Sequence, residues 1–112
     1  MCIRDRDRYV ADKRETAARY VEFFKGKEDI TFFTEPADCK SNYWLNAVVL
    51  KDKAAQLDFL EYTNDHGVMT RPVWELMNRL PMFEHCETDG LENTEWLADR
   101  VVNIPSSVRL DK

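Results

Sequence analysis

The apolar positions at the start of the chain recur with the period of a helix. They are Val10, Ala17, Tyr20, Val21 and Phe24. Charged residues fill the other faces of residues 7–25, among them Asp12, Lys13 and Arg14. This spacing predicts one amphipathic helix with a buried apolar stripe and a solvated polar face. Gly26 stands where such a helix would end in a left-handed residue.

The next two segments are rich in β-branched and aromatic residues. Residues 30–34 read ITFFT and are followed by Pro36, which predicts a strand that runs into a loop over 36–40. Residues 42–50 read NYWLNAVVL, which predicts a second and longer strand. Its apolar end indicates burial on both faces, so we expect it at the centre of the sheet.

Helical and extended signals alternate through the rest of the chain. Asp52 is a plausible N-cap for a helix over 53–65, and a short third strand over 68–71 would end at Pro72. Residues 75–79 suit one or two helical turns that stop before Pro81.

The last predicted helix covers residues 94–101 and has Asn93 as a candidate N-cap. The tail, residues 103–110, is expected to be irregular, with room for one short strand. The complete order of elements predicts an α+β fold, in which a small, mostly antiparallel sheet carries helices on one face.

Length and composition exclude several classes of protein. A chain of 112 residues with 44% hydrophobic and 33% charged side chains makes one folded domain. Its net charge of −5 argues against nucleic-acid binding, and its apolar runs are too short to cross a membrane. The first residues lack the apolar core of a secretory signal, so a cytoplasmic location is expected. Cys2, Cys39 and Cys86 lack metal-ligand spacing and are expected to be reduced, with no metal bound.

Few residues suggest chemistry. No phosphate-binding glycine loop or nucleophile elbow is present, and no catalytic residue is assigned. His66 and His85 fit structural roles better than catalytic ones.

Two clusters leave alternatives open. Residues 41–46 place amides and aromatics at a strand start, where alternation would separate Asn42 and Trp44 from Tyr43 and Leu45. These side chains suit either a binding surface or simple core packing. Residues 70–74 fix an arginine beside a proline and a tryptophan, a geometry suited to a carboxylate, a phosphate or a structural ion pair.

Four motifs in order resemble one known family. They are SNYWLN at 41–46, NDHGVMTRPVW at 64–74, LMNRLPMF at 76–83 and DRVVNIPSS at 99–107. Together they resemble the C-terminal region of the DegT/StrS-type sugar-nucleotide aminotransferases, nearest to the branch that makes legionaminic acid and related nonulosonates. The likeness runs from about residue 7 to the end.

The resemblance implies the small C-terminal domain of the aspartate aminotransferase fold (fold type I) for residues 7–112. Residues 1–6 do not fit the family and are expected to be a non-native leader. Pyridoxal phosphate, its Schiff-base lysine and most phosphate contacts would belong to a large domain that this chain lacks. No lysine or other cofactor-binding residue is therefore assigned here.

The resemblance also implies a reaction and substrate contacts. The cytoplasmic parent enzyme, a homodimer, would transfer an amino group, usually from glutamate, to a keto-sugar nucleotide. Arg71 and Trp74 would line the cleft between domains, with Asn42 a weaker candidate. Many relatives carry Pro-Leu-His after the corresponding arginine, whereas this chain has ELMN at 75–78, so Asn78 is a candidate substitute contact.

The chain alone is expected to be inactive and to self-associate through the surface that the large domain would cover. The alternative to this enzyme fragment is a stand-alone α+β interaction module that uses its aromatic and arginine surface to bind a partner.

Overall fold

The computed structural model describes residues 3–109 as one four-stranded antiparallel sheet with three helices. The strands are β1 (Ile30–Phe32), β2 (Asn46–Leu50), β3 (Arg71–Pro72) and β4 (Val101–Ile104), in the spatial order β1-β2-β4-β3. The helices are α1 (Arg6–Phe24), α2 (Lys53–Asp65) and α3 (Glu92–Ala98). Single 3-10 turns lie at Ile3–Asp5, Met77–Arg79 and Pro81–Phe83. The predicted α+β class and the central position of β2 are confirmed.

The core lies on one face of the sheet. The pairing registers place Phe32, Val48 and Val102 side by side across β1, β2 and β4. Val48 and Val102 are fully buried, and Ala17 of α1 and Phe59 of α2 pack against the same cluster. Because both long helices cover this face, the expectation of helices on one side of the sheet is also confirmed.

The opposite face is only partly covered. Alternation puts Ala47, Val49, Val101 and Asn103 on this side, and all four are half-buried. Phe33 continues the face beyond β1, where its N–H donates to the carbonyl of Ala47, and 60% of it is exposed. We call this surface the open face.

The molecule exposes more surface than a compact monomer of its size. Its accessible area is 8600 Å², whereas a monomer of 13.2 kDa is expected to expose about 6,400 Å². Its radius of gyration is 16.1 Å, against about 13 Å for a compact chain of this length. The excess is roughly 2,200 Å², an area that a second protein body could cover.

The predicted strand over 42–50 is too long at its start. Strand β2 begins at Asn46, and Tyr43 adopts a left-handed conformation with φ 48°. The predicted alternation of side chains before Asn46 is therefore wrong. Side-chain hydrogen bonds explain the difference, because Ser41 and Asn42 accept from the backbone N–H groups of Tyr43 and Trp44 and so compete with strand pairing.

The last predicted helix extends too far at its end. Helix α3 stops at Ala98, and Val101, which was predicted to be helical, starts β4, an interior strand of the sheet. The short strand for which the tail left room therefore begins two residues before residue 103. The N-cap is Leu91, with φ 50°, and not Asn93. Residues 101–104 form a strand because their pairing with β2 buries Val102 completely.

The other predicted elements are confirmed with shifted ends. Asp52 caps α2 by accepting from the N–H of Ala55 at 2.8 Å. The predicted third strand over 68–71 shares only Arg71 with the observed edge strand β3, which includes Pro72. The helical turn before Pro81 is a 3-10 turn. Cys39 and Cys86 are free and exposed, whereas Cys2 and Leu110 lie outside the described residues. None of the helices within residues 3–109 has the length and apolar character of a membrane span.

Candidate functional site

The two aromatic clusters of the sequence meet in space. The rings of Trp44 and Trp74 lie 6.4 Å apart between centroids and are tilted by 34°. They are 64% and 70% exposed. Large indole rings are normally covered, so two exposed ones in contact mark a surface built to meet something else. We call them the tryptophan pair.

Asn42 shapes the turn that carries one of these rings. Its Oδ1 accepts from the N–H of Trp44 at 3.0 Å, and the residue itself is exposed. The side chain therefore fixes the local turn and leaves its amide nitrogen facing solvent, where that N–H₂ group can donate to a ligand.

Arg71 lies in the edge strand β3, close in sequence to Trp74. Its guanidinium donates to the carbonyl of Thr70 at 3.0 Å and to Oδ1 of Asn64 at 3.4 Å. No carboxylate of residues 3–109 pairs with it. The structural ion pair that the sequence left open is therefore not formed, and an exposed arginine remains to meet an external anion.

Backbone and side-chain hydrogen bonds hold β3 in place. Thr70 is buried, and its hydroxyl lies 2.6 Å from that of Thr63 and 3.1 Å from Nδ2 of Asn64. These contacts join the end of α2 to the residue before Arg71. The backbone at Arg71 is therefore held in place, although the side chain of Arg71 is exposed.

Asn78 belongs to a separate cavity of about 640 Å³. Leu76, Phe83 and Leu91 supply much of its apolar wall. Oδ1 of Asn78 is buried and accepts no hydrogen bond from the described part of the chain. The structure thus brings the turn of Asn42 next to Trp74, because Trp44 of that turn contacts Trp74. Asn78 takes no part in this contact.

The predicted polar face of α1 is not simply solvated. Asp12 is only 7% exposed and accepts from the N–H of Arg109 at 2.8 Å. The ammonium of Lys13 donates to the carbonyls of Ser106, at 2.7 Å, and Trp44, at 3.2 Å. These residues tie the segment after β4 and the tryptophan pair to the first helix.

Arg14 and Glu35 form a bidentate ion pair. The guanidinium donates to both carboxylate oxygens, at 2.8 and 3.0 Å, and the side chains are 31% and 22% exposed. Hydrogen bonds from this guanidinium and from the N–H of Ser41 lower the pKa of Glu35 from 4.5 to about 2. The same contact raises the pKa of Arg14. Glu35 is therefore a fixed anion at neutral pH and not a proton carrier.

A signal in the sequence could have located these contacts. Lys13 and Arg14 precede Ala17 by four and three residues, so all three share one side of α1. The apolar stripe is therefore interrupted by two cations at positions that should be buried. An interruption of this kind predicts fixed anionic or carbonyl partners, which the pattern of apolar residues alone does not reveal.

The two histidines do not form a reactive site. Nδ1 of His66 lies 2.8 Å from the carbonyl of Tyr62, at the C-terminal end of α2, as expected for a structural histidine. His85 is exposed. Residues 3–109 also hold no cluster of side chains suited to a metal ion.

The chain was compared with known proteins. The family model described as "DegT/DnrJ/EryC1/StrS aminotransferase family" matches residues 3–112. No curated protein matches the chain.

Several solved structures share the fold. The aminotransferase TlmJ from Streptoalloteichus hindustanus is 21% identical, with a TM-score of 0.83 over 93% of this chain and 28% of its own. PseC from Helicobacter pylori, an aminotransferase involved in the biosynthesis of pseudoaminic acid, is 16% identical, with a TM-score of 0.77 over 91% of this chain and 29% of its own.

A third neighbour is GDP-4-keto-6-deoxy-D-mannose-3-dehydratase from E. coli, with bound hydrated PLP. It is 16% identical, with a TM-score of 0.73 over 93% of this chain and 28% of its own. At these identities the likeness shows the fold alone. The chain spans less than a third of the length of each of these structures. The family model covers nearly the whole chain, and the chain therefore belongs to the DegT/DnrJ/EryC1/StrS aminotransferase family.

Proposed function

We propose that this chain is the small domain of a pyridoxal-phosphate-dependent sugar-nucleotide aminotransferase. The observation that carries the proposal is the contact between Trp44 and Trp74, which joins two family-like motifs into one exposed aromatic surface. The open face and the excess accessible area suit a second body that covers the sheet. In this proposal that body is the large domain of the same enzyme, and the complete enzyme works as a homodimer.

We assign no cofactor site to the described residues of this chain. The ammonium of Lys13 is held by two carbonyl oxygens, and Lys25, Lys27 and Lys40 are exposed. A cofactor lysine needs a protected cavity with an acidic partner for the pyridine nitrogen. We therefore assign pyridoxal phosphate to the rest of the parent protein and give this chain the task of binding and orienting the substrate.

The substrate contacts follow from the exposed groups near the tryptophan pair. The planar guanidinium of Arg71 suits the phosphates of a nucleotide, and the indole rings suit the face of a base or a sugar. Asn42 offers an amide donor at the same turn. Asn78 is the weaker candidate, because its Oδ1, which has no partner in residues 3–109, is buried in the separate cavity. Glutamate is the proposed amino donor. The substrate class is a keto-sugar nucleotide for nonulosonates, closest to legionaminic acid, a proposal supported by the sequence motifs.

Titration of the isotope-labelled chain with UDP-N-acetylglucosamine, and separately with GDP-mannose, tests this surface. The chain has three tryptophans, so three indole N–H signals report binding. We expect the signals of Trp44 and Trp74 to shift together, with a smaller response in Arg71→Ala. Trp96 is the internal control, because it lies in α3 and its ring contacts the guanidinium of Arg100, 4.3 Å from the ring centre, and not the tryptophan pair. Signals that stay in place with both nucleotides contradict the assigned substrate surface.

The DNA upstream of Met1 tests the rest of the proposal. An open frame that encodes a glycine-rich domain with a cofactor lysine supports the enzyme, and Arg71→Ala in the complete enzyme is then expected to raise the KM for the sugar nucleotide. A stop codon and a ribosome-binding site directly before Met1 would instead favour the stand-alone interaction module.

A further inference from the structure

We propose that Arg14 and Glu35 are positioning residues that hold Trp44 against Trp74. A role of these residues in substrate binding rests on the proposed function. The contacts from which their positioning role is argued do not depend on it. Neither residue touches the tryptophan pair directly. They act through the segment from Glu35 to Leu45, which connects the end of β1 to β2.

The ion pair binds both backbone polar groups of Ser41. The N–H of Ser41 donates to Oε2 of Glu35 at 2.5 Å, and its carbonyl accepts from the guanidinium of Arg14 at 2.5 Å. Because the same guanidinium also binds both carboxylate oxygens, the three groups form one closed ring of charge-assisted hydrogen bonds. Ser41 cannot move without breaking contacts to both partners.

The next residues transmit this constraint. The guanidinium carbon of Arg14 lies 5.5 Å from the centre of the Tyr43 ring, and the hydroxyl of Tyr43 accepts from the N–H of Glu35 at 3.1 Å. Tyr43 is thereby held with φ 48°, a left-handed conformation that a non-glycine residue keeps only where its surroundings impose it. Trp44 follows directly, so the direction of its ring depends on this turn.

Lys13 completes the support from the same helix. It holds the carbonyl of Trp44, so the residue is fixed on both its N-terminal and its C-terminal side. Segment 35–45 contains no regular secondary structure. Apart from Tyr43, which packs against the core, the shape of the segment depends on these side chains of α1. In this proposal the ion pair therefore sets the exposed indole contact.

Circular dichroism tests the proposal without any ligand. Two indoles in contact give an exciton couplet in the far ultraviolet, and Trp74→Phe defines the signal that remains without it. Arg14→Lys keeps the charge but loses the bidentate geometry. We expect this variant to lose most of the couplet while the sheet stays folded. Arg19→Lys is the matched control, because it makes the same change at an exposed pair on the same helix, and it is expected to keep the full couplet.

Glu35→Gln is an independent test of the ion pair, because it preserves the shape of the side chain and removes its charge. It is expected to weaken the couplet in the same way. A wild-type couplet in both variants overturns the proposal. So does a couplet that disappears only when the whole sheet unfolds, because the pair would then be a general stabiliser. Since no nucleotide is present, a failure here is distinct from a failure of the substrate surface to bind.

Discussion

Gln56 provides the most direct test of how the sheet and helices are joined. Its side chain is fully buried, and its Nε2 donates to the carbonyls of Ala98 and Val101, both at 3.0 Å. Ala98 ends α3, where carbonyls have no partner within the helix. Pairing of β3 with β4 includes Val102 and Asn103 but does not extend to Val101. One amide therefore satisfies two carbonyls that secondary structure leaves unpaired.

Replacement of Gln56 by Met removes both donors at nearly constant length. Each buried carbonyl left without a partner costs about 1–3 kcal/mol. Some of this loss is offset, because Oε1 of Gln56 accepts no hydrogen bond within residues 3–109 and its removal is favourable. We expect the free energy of unfolding to fall by about 2 kcal/mol and the melting temperature to fall by about 8 °C.

Urea unfolding followed by circular dichroism measures this change as a shift of the midpoint at constant slope. Glu61→Met is the matched control on the exposed side of α2 and is expected to change stability by less than about 0.5 kcal/mol. If Gln56→Met is as stable as the wild type, the two carbonyls do not depend on this amide and the reasoning is wrong.

Three further predictions concern other parts of the chain. Asn46→Leu is expected to raise the free energy of unfolding by about 1–2 kcal/mol, because both polar atoms of this buried side chain lack a partner in the described residues; a lower urea midpoint would contradict this. Glu35 has a lower pKa in the folded chain than its ordinary 4.5, so its contribution to stability is complete above about pH 4.5 and is lost as the pH falls towards about 2. Glu35→Gln is expected to flatten that acid limb of the stability profile, and an unchanged limb would refute the assignment. Phe33 and Leu45 are exposed and line one cavity with Ala47 of the open face. Sedimentation velocity is expected to show association that increases with concentration and weakens in Phe33→Ser/Leu45→Ser, whereas a monomer at every concentration would count against an unsatisfied open face.

The sequence predicted those elements whose signals are local. Asp52 and the apolar positions that follow it define α2 within the helix itself, and the apolar end of β2 marks an interior strand. The segment after α3 was misjudged because Val101 has a helical context in sequence but pairs with Val49, far away along the chain. Local propensity is weaker than such pairing when the strand lies between two others and buries one of its faces.

The candidate site was predicted in part for the same reason. The motifs marked Trp74 and the turn of Asn42, but no pattern in the sequence could show that Trp44 touches Trp74. Lys13 was assigned to a solvated face because its partners, Trp44 and Ser106, are 31 and 93 residues away in the chain. An amphipathic pattern shows which residues avoid water, but it does not show which charged residues have found partners.

The small number of buried apolar groups explains why polar contacts fix the geometry of several parts of this structure. Only six apolar side chains of the described residues are buried, all within the single layer between the sheet and its helices. In segment 35–45, Tyr43 packs against this layer, and an ion pair and a lysine hold the neighbouring residues in place. Such contacts are directional and fix a geometry, whereas apolar burial mainly supplies stability. An exposed tryptophan pair held by directional contacts, together with a partly covered sheet, therefore fits the substrate cleft and the covering large domain that we propose.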